Sequence, residues 1–428
     1  MRRVVVLVLD GLRRDFLREE WTPNLASLAK RAEGFARHRS VFPSATRTSA
    51  ASIATGCHPA RHGLQGDYLA FLQGDSIAVH DAGEAGFLQR KRRITGASLA
   101  APTLAERLKG IGGAAIFGNV SPGATYAHDP DGHGHVYHRE GSYGPGLAAM
   151  SGIDNLGVTP DLAGDRKLTA RFVSDLFADE PPALSLLWLA EPDTTQHEAP
   201  LGSPAHSAML GEADSLAGRV FQAVDRLRDR GDDVLLIACS DHGHQTVSGE
   251  VDIDAALVEA GLKKGPASDD VVVVSNGTSA LIYVHPRNQD ASKGLYEFLA
   301  TRTWVDRAIP AEDLHQIGQS SAHGLAIAVS MRSTEDANGF GIPGTSLMAK
   351  KPPGTPSYVG FGQHGGLAAH EQSPFLLMEG EGFAAGRSRL EQTAIIDIAP
   401  TVLRHLRLPV EGLDGHALQP AGDGSPLA

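Results

Sequence analysis

Six consecutive apolar residues, Val4 to Leu9, run straight into Asp10. A half-buried strand or an amphipathic helix would place polar residues inside such a run, because their faces repeat every two or 3.6 residues. The run reads as a strand buried on both faces, the kind that parallel sheets carry beneath helices on both sides. Residues 114–117, 184–190 and 234–239 have the same texture. Helical spacing fills the segments between them, notably 102–108 and 204–230. Thr22-Pro23-Asn24 opens another helix, with Thr22 as N-cap and Pro23 at the first helical position. The alternation predicts an α/β fold, a doubly wound, mostly parallel sheet with helices on both faces.

Residues 245–363 differ in texture, with β-rich runs at 271–274, 279–284 and 325–331, a helix near 291–301 and a Pro/Gly-rich end. We read them as a smaller α+β lobe inserted into a catalytic domain of residues 1–244 and 364–416. Core patterning returns with a strand at 374–378 and a helix at 393–406, and residues 417–428 read as the end of a poorly ordered tail that begins near Gly412. A chain of 428 residues is long enough for such a division. Its formal charge of −12 gives no electrostatic reason to bind polymeric nucleic acid or an anionic membrane. Two cysteines, Cys57 and Cys239, cannot build a disulfide framework. Met1-Arg2-Arg3 and the apolar run mimic a signal peptide, but the run stops at six residues, and no apolar stretch is long enough to span a membrane. A cytoplasmic enzyme is the expectation.

In open α/β sheets, ligands bind where strands end at their carboxyl edge. The first strand ends at Asp10. The 184–190 strand runs into Glu191-Pro192-Asp193, with His197 four residues beyond Asp193. The 234–239 strand ends in Ser240-Asp241-His242, and His364 stands in Gln363-His364-Gly365-Gly366. Singly, each of these residues is more often a turn, cap or surface group. Together, three aspartates and three histidines form a mixed carboxylate–imidazole set that suits zinc, manganese or iron, and six ligands divide into two sets of three. Such a two-metal site can polarise a phosphoryl group and stabilise a leaving oxygen. The chain has 19 histidines, and four of them crowd 128–138, read as a solvated loop with a substrate-pocket or extra-metal role as the alternative. Asp129 to Glu140 nearly fits a calcium loop, but the flanking segments cannot supply its two helices.

Phe42-Pro43-Ser44-Ala45-Thr46-Arg47-Thr48-Ser49 precedes a run of small residues at 50–54. A hydroxyl at a helix start can be a nucleophile whose phosphorylated form is stabilised by free backbone N–H groups. From the local sequence alone, the favoured reading is that Thr46, Thr48 or Ser49 simply caps that helix.

Val41-Phe42-Pro43-Ser44-Ala45-Thr46, followed by Thr55-Gly56-Cys57-His58-Pro59-Ala60-Arg61-His62-Gly63, resembles the nucleophile segment of the alkaline phosphatase superfamily, in its type I phosphodiesterase/nucleotide pyrophosphatase branch. Glu-Pro-Asp-x-x-x-His at 191–197, Ser-Asp-His-Gly at 240–243, His-Gly-Gly at 364–366 and Asp397-Ile398-Ala399-Pro400-Thr401 fall in the branch's order. The resemblance covers residues 4 to about 416 and implies an alkaline-phosphatase-like fold. By position, it implies one divalent ion on Asp10, Asp241 and His242 and a second on Asp193, His197 and His364, most simply zinc, with manganese the alternative. It implies Thr46 as a transiently phosphorylated nucleophile, and a small phosphate ester as substrate. Tyr68 and Phe71 fall where aromatics flank the leaving group in the resembling enzymes.

Two departures bear on the substrate. The branch commonly has Asn where this chain has Asp67, and its Phe-Pro-Asn after the threonine is replaced by Arg47-Thr48-Ser49. A carboxylate facing a phosphoryl oxygen repels it unless protonated or paired, whereas Arg47 could bind an anionic oxygen through its forked donors. Cys57-His58-Pro59-Ala60-Arg61 imitates a sulfatase motif out of register, and Cys57 reads as a packing residue. The expected activity is metal-dependent phosphodiester hydrolysis. A phosphomonoesterase or phosphonoacetate-type carbon–phosphorus hydrolase is the alternative on the same scaffold, and a metal-binding pseudoenzyme the reading from another class.

Overall fold

The computed structural model describes residues 1–351 and 354–420. Its largest sheet has ten strands. At the centre Arg2–Leu9 lies between Leu184–Leu189 and Asp233–Cys239, parallel to both. Beyond Leu184–Leu189 come Ala114–Gly118 and His135–Tyr137, also parallel. On the other side Leu376–Glu379 pairs antiparallel with Asp233–Cys239 and with Glu33–Arg39, which in turn runs parallel to Ser388–Ala394.

The apolar run of the first strand divides by side-chain parity. Val4, Val6 and Val8 point into one core, shared with Ala50, Ile53 and Leu403, while Val5, Leu7 and Leu9 point into the other, shared with Phe172, Leu216 and Val220. Both faces are therefore dry, and each such side chain contributes about 1.5–3 kcal/mol by leaving water. The helix Pro204–Asp229 covers one face, starting at Pro204 with the Ser203 side chain accepting the His206 N–H. The register fixes the working edge. Val8 pairs with Cys239, and Leu9 pairs with Leu189, so Asp10, Asp241 and the Glu191-Pro192-Asp193 segment emerge at one rim.

Strands within 245–363 form two further four-stranded sheets. Val271–Ser275, Ser279–Val284, Leu325–Met331 and Val305–Pro310 are antiparallel, and Leu295 and Leu299 of the helix Ala291–Ala300 pack on one face. The other face meets Phe42, Ala70 and Ile77, so this lobe leans on the segment that precedes Thr46. The second sheet comprises Ser333–Ala337, Pro343–Ala349, Gln245–Val251 and Gly362–Gln363.

Several expectations change. The helix expected at 393–406 is Ile398–His405, because Ser388–Ala394 first runs as a strand beside Glu33–Arg39. Those two strands, rich in charge and largely exposed along Ser388–Ala394, carry no apolar run. Residues 128–138 are not a solvated loop. His128, Asp129 and His138 are buried, Asp129 accepts the N–H groups of His133 and Gly134 at 2.8 and 2.7 Å, and His135–Tyr137 joins the large sheet. The start of the expected tail is also tied down. Gly415 N–H donates to Gly56 O, Leu418 N–H donates to the Thr401 hydroxyl, and Leu418 is buried. Residues 421–428 lie outside the described residues.

Candidate metal centre and phosphoryl site

Three strand ends and one returning loop deliver the site. Asp10 is 2% exposed, and its Oδ2 accepts the Trp188 indole N–H at 3.1 Å from the neighbouring strand. Asp241 Oδ1 accepts the Gly11 N–H at 3.1 Å. Gly11 has φ +66°, and a Cβ there would lie 2.6 Å from His244 Nε2 and 2.8 Å from Asp193 Oδ1, so the turn after the first strand requires glycine. His242 Nδ1 faces Gly243 O at 3.1 Å, which leaves Nε2 for the site. That Nε2 lies 3.2 Å from Asp241 Oδ2, 3.5 Å from Asp10 Oδ1 and 3.3 Å from Thr46 Oγ1.

The second group sits beside it. His197 Nδ1 is held by Gly362 O at 3.0 Å and its Nε2 lies 3.3 Å from Asp193 Oδ2. His364 Nδ1 is held by Ser44 O at 2.8 Å, and its Nε2 lies 3.8 Å from Asp193 Oδ1. Ser44 further clamps the loop, its hydroxyl accepting the Gly365 N–H and donating to Gly366 O, both at 3.0 Å. Glu371 accepts the N–H groups of Gly366 and Ala368 and the Thr278 hydroxyl. The segment that leads into Thr46 and the His364 loop are thus tied together although they are distant in sequence.

Electrostatics show what this arrangement wants. Burial, with Asp241 and Asp193 nearby, holds Asp10 well above the usual carboxylate range, and burial raises Asp241 as well. Burial would also raise Asp193, but His197 and His244 hold it well below. Burial drives His364 far down. Asp10 Oδ1 and Asp241 Oδ2 are buried acceptors without a hydrogen-bond donor. Two orphaned carboxylate oxygens facing one imidazole nitrogen fit a divalent cation, which would satisfy both and remove the cost of burying adjacent charges. Ligating atoms of Asp10, Asp241 and His242 lie within 4.8 Å of one another, as do those of Asp193, His242, His244 and His364.

His244 was missed in the sequence although it stands two residues beyond His242. Its Nε2 meets Asp193 Oδ1 at 2.6 Å, and it is fully buried. The signal was the second histidine in Asp241-His242-Gly243-His244. Trp188 carried no sequence signal beyond its strand.

Thr46 is the first residue of the helix Thr46–Thr55. The N-cap is Ala45, and no side chain of Thr46, Thr48 or Ser49 caps the helix. Its hydroxyl opens instead onto a cleft of about 320 Å³ lined also by Asp10, Arg47, Asp67, Tyr68, His197 and His364. Arg139, whose guanidinium donates to Asn119 O at 2.6 Å, and Lys351 line the same cleft and form no salt bridge among the described residues. Phe71 is not at the cleft. It is 1% exposed, packed against Phe87, His80 and His323, because strand alternation turns it into the core. Asp67 does not face the cleft as an isolated charge, since it pairs with Arg47.

A mostly parallel sheet bearing paired aspartates and histidines at its carboxyl edge, next to a threonine at a helix start, defines an alkaline-phosphatase-like hydrolase scaffold. The type I phosphodiesterase/nucleotide pyrophosphatase family model matches residues 4–313, and the chain belongs to that family of phosphoester hydrolases. A 61-residue stretch is 43% identical to an uncharacterized pyrophosphatase/phosphodiesterase of Schizosaccharomyces pombe; the match spans 14% of this chain and 13% of that protein. Murine ectonucleotide pyrophosphatase/phosphodiesterase 5 has a similar structure, with a TM-score of 0.69 at 17% identity over 97% of both chains. Its inactive threonine-to-alanine variant in complex with AMP gives 0.69 at 18% over the same shares, and the human protein 0.66 at 17%. Among the described residues no helix is long and apolar enough to cross a membrane.

Proposed function

We propose that the chain hydrolyses small phosphate diesters, nucleotide-like ones included, through a covalent phosphothreonine on Thr46. Asp10, Asp241 and His242 would hold one divalent ion and Asp193, His197 and His364 the other, zinc first and manganese second by ligand type. Bound there, the ions would supply charge stabilisation for phosphoryl oxygens and favour loss of the Thr46 proton. Thr46 Oγ1 attacks phosphorus, the bond to the leaving oxygen breaks, and water then cleaves the phosphothreonine to restore the hydroxyl. The helix start would turn its dipole toward the phosphoryl group in both half-reactions, with the Arg47 N–H already held by Asp67. The observation that carries this reading is the uncapped Thr46 hydroxyl, 3.3 Å from His242 Nε2 and open to the cleft.

The same reading assigns residues 1–244 and 364–416 to catalysis and 245–363 to an inserted lobe. Two buried, unpaired thiols, Cys57 and Cys239, suit a reducing cytoplasm. The test is Thr46→Ala with zinc or manganese supplied: turnover of a bis-aryl phosphate should vanish while metal content is retained. Undiminished turnover would overturn it. Arg139 and Lys351 in the cleft favour a second reading, a monoesterase or phosphonoacetate-type hydrolase, since extra substrate charge calls for extra cations. Parallel rates on bis-aryl phosphate, aryl phosphate and phosphonoacetate separate the two. The pseudoenzyme reading loses its support, because the carboxylate of Asp67 is paired.

A further inference from the structure

We propose that Asp67 sets the substrate charge that the cleft accepts: by neutralising Arg47 beside the nucleophile, it tunes the site to singly charged phosphodiesters and against doubly charged monoesters. This rests on the hydrolase reading of the cleft.

Arg47 directly follows Thr46 at the helix start, and both line the cleft. Asp67 engages it twice. One carboxylate oxygen accepts the Arg47 backbone N–H at 2.9 Å, and the other pairs with the guanidinium. The Arg47 Nε–H donates to the Ser121 hydroxyl at 3.0 Å, so the side chain is fixed on two sides. Asp67 is only 6% exposed, so solvent screens the pair weakly.

The surroundings complete the count. Asp81 and Tyr68 act on Arg47 along with Asp67, and Lys351 in turn feels Arg47, Asp67 and Asp81. Around Arg47 itself, the two cations Arg47 and Lys351 thus stand against the two carboxylates Asp67 and Asp81 and these four formal charges cancel, while Arg139 and Asp193 line the cleft outside this group. Asparagine at position 67 would leave one positive charge beside the attacking oxygen. A phosphodiester carries a single negative charge, whereas an aryl monoester above neutral pH carries two, so the extra cation would act mainly on the monoester. The asparagine carbonyl can still accept the Arg47 N–H, so the helix start keeps its acceptor. Asp67 therefore controls charge separately from local structure.

The test uses zinc-loaded Thr46→Ala protein, which cannot turn over, and reads dissociation constants for phenyl phosphate and diphenyl phosphate at pH 8 by calorimetry. Adding Asp67→Asn should tighten phenyl phosphate about tenfold and leave diphenyl phosphate within about threefold. Adding Arg47→Gln to that variant should abolish the gain. Arg47→Gln with Asp67 intact should weaken the monoester about threefold more than the diester, and this arm stands if the asparagine variant fails to fold. An unchanged ratio of the two constants, equal tightening of both ligands, a gain that persists without Arg47, or binding of neither ester overturns the proposal. Turnover by protein with Thr46 intact is measured separately. If it hydrolyses neither ester with zinc or manganese, the hydrolase reading falls while the binding ratio still decides the role of Asp67.

Discussion

Replacing His138 by glutamine should flatten the acid side of the protein's stability profile. His138 is fully buried; its Nδ1 accepts the Glu140 N–H at 3.1 Å and its Nε2 faces Val120 O at 2.9 Å. A donor on one side and an acceptor on the other demand the neutral ring protonated at Nε2. Burial lowers its pKa from 6.5 to about 4. The unfolded chain therefore takes up this proton first, and folding stability rises with pH between those values. The contribution is fully present above pH 6.5 and is lost as the pH falls towards 4. A shift of roughly 2.5 units corresponds to about 3 kcal/mol in full, of which about 2 kcal/mol is lost by pH 5. Glutamine can both accept and donate there but does not titrate. Urea midpoints of metal-free wild type and His138→Gln between pH 7.5 and 5 measure the difference, and carboxylates and other histidines cancel between the two proteins. The variant should lose about 2 kcal/mol less over that span. Superimposable pH profiles would refute the neutral-bridge assignment.

Trp188→Phe removes the indole N–H from Asp10 and keeps the bulk of the ring; zinc affinity measured by chelator competition should fall about 10–100-fold at one of two sites. Supplying zinc at about 100 times its dissociation constant should stabilise the metal-free protein by about 2.7 kcal/mol per site, read as a rise in Tm that a chelator reverses. Gly123→Ala should destabilise by about 1–3 kcal/mol in denaturant titrations, because the new Cβ would overlap Ala82 O.

The histidine count illustrates how the site and its background separate. His197, His242 and His364 were readable because each stands in a short motif after a strand end. His62, His138 and His206 are something else. Each accepts a backbone N–H at Nδ1 and faces an acceptor oxygen at Nε2 inside the core, with pKa values brought by burial to about 3, 4 and 4. His138 and His206 stand in no motif, and the Pro-x-x-His-Gly element that holds His62 does not mark it as a core bridge, since the partners of all three are chosen by packing.

Sequence alone determined the central sheet, since an all-apolar run such as Val4 to Leu9 has no stable place except between two dry faces. It also determined which acids end those strands, because each follows its run directly. Tertiary structure decided the rest. The edge strands Glu33–Arg39 and Ser388–Ala394 exist through their pairing and not through their own hydrophobicity. The segment 128–138 is ordered because Asp129 and the sheet supply hydrogen bonds that a solvated loop would take from water. Phe71 turned inward by strand parity. Asp67 and Arg47 are twenty residues apart, and only the folded chain joins them into a neutral pair. Runs and motifs are local and survive in the sequence. Charge cancellation and burial depend on which surfaces meet, and folding alone brings those surfaces together.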